Sequence, residues 1–169
     1  MNISVVPLSR AKIRKVTEEI RKTVGLEKSA YFPIVQVIEW LLGDPDSDDF
    51  NYEIVPSYEM EDTYGLTNTH KNVMRIREDV YIGAIRGNPR DRFTLCHELG
   101  HYILHQPDRV EYARGEIPAY RDPEWQANTF AAELMAPYDL VKDYSPEEIA
   151  RHCGMSYQAA EIQHKQLKK

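Results

Sequence analysis

His97-Glu98-Leu99-Gly100-His101 brings two imidazoles and a carboxylate together within five residues. On an α-helix, residues four apart lie on one face about one turn apart, so His97 and His101 can aim ring nitrogens at a single cation. Glu98 is then placed to take a proton from water activated by that cation and to return it to a leaving amine, the work of the glutamate in an H-E-x-x-H motif. The pattern predicts metal-assisted hydrolysis. Two buried histidines and a glutamate on an otherwise apolar helix would also need polar partners, and a zinc ion satisfies them together.

A structural zinc site closes with four protein ligands, whereas a catalytic one has three and keeps a position open. Cys96 projects about 100° around the helix from His97, and Cys153 is remote in sequence, so no Cys-x-x-Cys pair exists. His105 lies roughly 12 Å along a straight helix from His97 at 1.5 Å per residue, too far to share one ion with it. The longer H-E-x-x-H-x-x-G-x-x-H pattern is absent, since Leu104 and Pro107 occupy its glycine and third-histidine positions. The third ligand is therefore expected to be a carboxylate.

The elements that must position these groups are marked at both ends. Asn88-Pro89-Arg90-Asp91 is a turn with a proline suited to a first helical position, and Phe93, Leu95, Cys96, Leu99, Tyr102, Ile103 and Leu104 follow as apolar surface. A second helix is expected from Asp122 as cap and Pro123 in the first turn to Pro137 as stop, with small alanines at 127, 131, 132 and 136 permitting close approach. Glu124 and Asn128 share one face of it. Glu124 is the best candidate to complete the metal shell, while the Asn128 carbonyl could accept a proton from the far nitrogen of a ligand histidine and fix its tautomer. Glu133 should face elsewhere.

Arg92-Phe93-Thr94-Leu95-Cys96-His97-Glu98-Leu99-Gly100-His101, followed by Glu124-x-x-Ala127-Asn128-x-Phe130-Ala131-Ala132-x-Leu134-Met135-x-Pro137, resembles the ImmA/IrrE family of metallopeptidases, also called the domain of unknown function 955 family. The resemblance implies a gluzincin-like site with one Zn2+ per chain, His97, His101 and Glu124 as ligands and Glu98 as general base. It also implies a protein substrate, such as a helix-turn-helix transcriptional repressor. This chain has Gln126 where the family often has a glutamate. The competing functions are a catalytically idle regulator docking on a repressor or DNA, and the toxin of a two-gene module.

Composition fits that expectation. The chain of 169 residues has 42% hydrophobic and 28% charged residues, which suits one domain able to bury a core. A net charge of −6 argues against an extended nucleic-acid footprint. Two distant cysteines make no disulfide framework, and no signal segment or membrane-length apolar run appears, so a reducing cytoplasm is expected. Cys96 reads as a small buried hydrophobe. Oligomeric state is not legible.

The fold class expected is α+β, a mainly helical zincin-like metallopeptidase domain with a small antiparallel sheet and a C-terminal helical pair. Residues 1–50 form a helical N-terminal part, with amphipathic helices over Ser9–Val24 and Tyr31–Leu42 and an acidic loop at Asp44–Asp49. Residues 51–137 hold the sheet and zinc-site core, with strands near Tyr52–Val55, Thr63–Thr67 and Asn72–Arg77 and a turn at His70-Lys71-Asn72. A sheet edge beside the metal could hold an extended substrate. Residues 138–169 resemble a helix-turn-helix, with a capping box at Ser145-Pro146-Glu147-Glu148 and a turn at Gly154-Met155-Ser156. As a DNA reader it would offer Tyr157, Gln158, Glu161 and Gln163 to bases, but its few cations favour a packing or docking role. Tyr102, Tyr112, Tyr120 and Arg114 are the candidates for stabilising an oxyanion.

Overall fold

The computed structural model describes residues 1–42 and 50–169. The acidic loop expected at Asp44–Asp49 lies outside the described residues. In chain order the elements are β1 (Asn2–Val5), α1 (Arg10–Thr23), α2 (Ile34–Leu42), β2 (Asn51–Val55), α3 (Ser57–Met60), β3 (Gly65–Asn68), β4 (Val73–Arg77), α4 (Glu78–Ile85), α5 (Pro89–Leu104), β5 (Val110–Ala113), α6 (Pro123–Met135), α7 (Tyr138–Val141), α8 (Pro146–Cys153) and α9 (Tyr157–Leu167). Among the described residues the fold is a mainly helical α+β arrangement with two small sheets. Among the described residues, no helix is long and apolar enough to cross a membrane.

The two helices carrying the motif residues begin where their caps dictate. The Asn88 side chain accepts from the backbone N–H groups of Arg90 and Asp91, with Pro89 in the first turn of α5. Asp122 accepts from the Glu124 N–H, and Pro123 opens α6. Both helices bury a broad apolar face: Leu95, Cys96, Leu99 and Leu104 from α5 meet Phe130, Ala131, Leu134 and Met135 from α6 in the main core. Ile34 and Ile38 of α2, Met74 and Ile76 of β4, and Ile149 of α8 close around them.

Gly100 sets how near α5 and α6 come. A Cβ built there would lie 2.9 Å from Phe130 Cδ1 and 3.1 Å from its Cβ, closer than packed carbons tolerate. Gly100→Ala should gain helix propensity worth about 1 kcal/mol and lose about 1–3 kcal/mol to overpacking. The expected outcome is a Tm lowered by about 2–4 °C in a thermal melt, which corresponds to roughly 1 kcal/mol net. An unchanged or raised Tm would mean that the Phe130 ring yields freely.

The larger sheet is mixed, ordered β2-β4-β3, with β4 antiparallel to β3 and parallel to β2. The β3–β4 pair is antiparallel, as expected from sequence, and the parallel β2–β4 pair makes the sheet mixed. Successive strands reverse direction, so first and third run the same way, and they pair because β4 inserts between β2 and β3. The turn over Thr69–Asn72 is as expected: Asn68 Oδ1 accepts from the Lys71 N–H, and Asn72 takes a positive φ of 49°. A second, two-stranded sheet pairs β1 with β5 antiparallel, Val5 opposite Val110. These strands were not anticipated, and the chain opens on a strand where a helical segment was expected.

Fully buried charges tie the layers together. Arg21 on α1 donates to the carbonyls of Leu134 at 2.8 Å, Ala30 at 3.1 Å and Leu26 at 3.2 Å, and to Ser29. Burial lowers its pKa to about 10, so it remains charged at neutral pH. Arg92 on α5 donates to Phe32 O at 3.0 Å and Cys153 O at 3.2 Å, with Tyr31 stacked 3.9 Å from the guanidinium carbon. The C-terminal pair therefore packs onto α5. Ser145 and Glu148 form the expected capping box, and Gly154 ends α8 in the left-handed conformation. Gln163 does not face outward as a base reader would. It is buried, donating to Ala136 O at 3.4 Å and accepting from Arg10 at 3.3 Å.

Candidate metal centre

Where α5 and α6 emerge from the core they form the floor of a cleft of about 500 Å³. One wall is β3 with the turn after it, and the other is Ile3, Val5, Val110 and Tyr112 from β1 and β5. His97, Glu98 and His101 line the floor from α5, and Glu124 enters from the first turn of α6.

The three expected ligands converge. Glu124 Oε2 lies 3.2 Å from His97 Nε2 and its Oε1 lies 3.1 Å from His101 Nε2, while the two Nε2 atoms are 3.0 Å apart. Two imidazole nitrogens and a carboxylate oxygen are the donor set zinc takes in hydrolytic sites, and these separations are near the edge of a tetrahedron built on bonds of about 2.0–2.2 Å. The residues fit the ion. Electrostatics express the same crowding. Hydrogen bonding to His101, then to His97, holds Glu124 well below the usual carboxylate range. Burial alone would depress His97, but Glu124 and the charge of Glu98 outweigh it and raise that imidazole.

Each group around the floor has a specific partner. His97 Nδ1 is 2.9 Å from Asn128 Oδ1, the contact expected for that asparagine. Glu98 is 6% exposed, and its Oε2 accepts from the Thr67 hydroxyl at 2.7 Å. Gly65 leaves room for it: a Cβ there would sit 2.8 Å from Glu98 Cγ and 3.2 Å from its Oε1. His105 does not join the ligand triangle, as its distance along the helix required. Its ring instead meets His101, Nδ1 to Nδ1 at 2.9 Å, and Gln126 Oε1 at 3.0 Å from its Nε2. Burial, then the charge of His101, lowers its pKa to about 4.

Thr67, Gly65, His105 and Gln126 were missed by sequence reasoning. His105 left a signal, four residues beyond His101 on the same helical face, and Gln126 left one as a departure from the family pattern. Of the four oxyanion candidates, Tyr112 alone lines the cleft, while Tyr102 stacks on Phe50 at 4.1 Å between centroids. Glu133 faces away from the cleft, as expected, and is buried against Arg10 and Arg14 of α1. Cys96, next to His97 in sequence, points into the core with no exposure, and burial pushes its thiol up to about 12.

The edge of β3 bears on what the cleft can hold. The Arg77 N–H donates to Tyr64 O at 3.0 Å, and continuing that alternation along the β3–β4 ladder turns the backbone groups of Gly65 and Thr67 away from β4. Among the described residues no strand lies on that side of β3.

The model of the family described as Peptidase_M78, IrrE N-terminal-like domain, matches residues 48–164. That span includes the whole floor, Thr67, His105 and Gln126, and leaves out β1. No curated protein matches the chain significantly.

Proposed function

As this chain belongs to the Peptidase_M78 (IrrE N-terminal-like) family of metallopeptidases, we propose that it is a zinc-dependent endopeptidase acting on a specific protein, with His97, His101 and Glu124 as ligands and Glu98 as general base. The observation that carries this reading is the convergence of those three donor groups beside a buried carboxylate, next to a strand edge that no other strand covers among the described residues. A zinc ion held there would supply Lewis acidity, activating water near neutral pH and polarising the scissile carbonyl.

The chain's own residues do the rest. An extended substrate segment adds to the β3 edge through the outward backbone groups of Gly65 and Thr67, which sets one peptide bond over the floor. Thr67 holds one oxygen of Glu98 by hydrogen bonding. The carboxylate takes the proton from the attacking water and passes it to the departing amine. Asn128 accepts from His97 Nδ1, which leaves the Nε2 lone pair of that ring toward the cation. The substrate suggested by the family likeness is a helix-turn-helix transcriptional repressor in the same cell.

The test is metal content and cleavage measured together. Wild-type protein reconstituted with zinc should hold about one ion per chain and cleave a co-expressed repressor until a chelator is added, and His101→Ala and Glu124→Ala should lose both properties. A folded wild-type protein that retains no zinc would overturn the assignment. The clearance around Glu98 gives a second expectation. Gly65→Ala should displace the carboxylate and lower kcat by about 10–100-fold with zinc content unchanged, since misplacement on the order of 1 Å can cost that much. Steady-state kinetics with metal analysis would show it, and an unaltered kcat would mean that Glu98 has slack.

A further inference from the structure

The floor of the site is backed by hydrogen bonds that end on main chain. The Gln126 side chain is fully buried, and its amide nitrogen donates to Val6 O at 2.9 Å and to Tyr120 O at 2.8 Å. Both amide protons are thereby committed, so Oε1 faces His105 as an acceptor. His105 must then carry its proton on Nε2. In a neutral imidazole the other nitrogen is an acceptor, so His105 Nδ1 receives the hydrogen bond from His101 Nδ1. His101 Nδ1 therefore carries a proton, which leaves Nε2, the atom that faces Glu124 and His97, as the nitrogen a cation can take.

We propose that Gln126 and His105 form a relay that fixes the tautomer of His101, presenting its Nε2 lone pair to the cation, and so act as positioning residues for the metal centre. His97 obtains the same result from one direct partner, Asn128. His101 obtains it through two residues anchored to the segment after β1 and to the turn that enters α6. Leu8 N–H also donates to Tyr120 O at 2.9 Å, so both anchors belong to one patch of backbone. Gln at position 126 suits this patch because it offers two donors to the carbonyls and one acceptor to the ring. A glutamate keeps the acceptor and loses both donors.

The assignment of His101 as a ligand rests on the function proposed above, but the tautomer does not, and long-range 1H–15N spectra of the metal-free protein read it directly. The expected spectrum has a protonated Nδ1 on His101, the nitrogen that the tautomer preferred by free histidine in water leaves bare. Gln126→Leu and His105→Phe should each remove the Nδ1 proton of His101 and weaken zinc by about 10–100-fold in chelator competition. An unprotonated Nδ1 on His101 in the wild-type protein would overturn the relay, whatever the variants do. So would a wild-type tautomer together with wild-type zinc affinity in folded Gln126→Leu or His105→Phe. Absence of zinc binding in wild type with the expected tautomer present would instead count against the peptidase reading alone.

Discussion

Glu98→Gln should leave zinc content and Tm near wild type and lower turnover by about 10²–10⁴-fold, the range for loss of a general base. The two side chains are isosteric, and the packing around residue 98 is tight enough for that to matter: Gly65 on one side leaves no room for an added carbon, and Thr67 sits on the other at 2.7 Å. The Thr67 hydroxyl can donate to an amide oxygen as it does to the carboxylate, so the side chain keeps its place. What it loses is the capacity to accept a proton from water. The measurement is kcat at saturating zinc, with metal analysis and a thermal melt on the same preparation. Turnover within tenfold of wild type would remove Glu98 from the mechanism. Loss of zinc in step with activity would make it part of the metal shell instead.

Glu133→Ala should be the most damaging substitution for stability among those far from the cleft. Glu133 is completely buried on α6, and its carboxylate accepts from Arg14 Nε at 2.9 Å, from Arg14 Nη2 at 3.1 Å and from Arg10 Nη1 at 3.0 Å. Removing one partner of a buried pair typically costs about 3–5 kcal/mol because the remaining charge is stranded. Here Arg10 and Arg14 keep side-chain exposures of 23% and 24%, so both can recover some hydration. A loss of about 2–3 kcal/mol is expected, or a Tm fall of about 4–12 °C for a domain of this size. Glu133→Gln should lie between, since it retains volume and one acceptor. Equilibrium urea unfolding of the three proteins would test the order, and an alanine variant as stable as wild type would show that the cluster contributes no net stability. Because α6 also carries Glu124 and Asn128, zinc affinity should weaken in the same order.

The helices of the site were legible in the chain because their signals are local. Asn88 and Asp122 cap within three residues, Pro89 and Pro123 open first turns, and His97 and His101 share a face through nothing more than helical period. Glu124 was found by elimination of histidine and cysteine ligands, together with Asn128 one turn on. The features not legible all depend on which distant segments meet. Thr67 reaches Glu98 across a separation of 31 residues, and Gln126 reaches Val6 across 120. No local pattern specifies either. Pairing order in the larger sheet belongs to the same class, since the alternation of β2, β3 and β4 shows where strands are but not that β4 lies in the middle. Gln126 stood out only as a departure from a family habit, and its three hydrogen bonds give that departure a physical role. Gln163 misled for the opposite reason: on an isolated helical pair it reads as surface, and only packing against α1 and the end of α6 buries it.

Cys96 has a consequence for how the protein would fare under chemical stress. Alkylating agents and peroxides attack the thiolate, and a sulfur with no exposure and a pKa near 12 offers almost none. Although it is the residue preceding His97, its sulfur is walled off from the cleft by the body of α5. Cys153 is buried too, with its thiol pushed up to about 11, so the proposed hydrolysis should persist in peroxide and in iodoacetamide, conditions that silence peptidases dependent on a reactive cysteine.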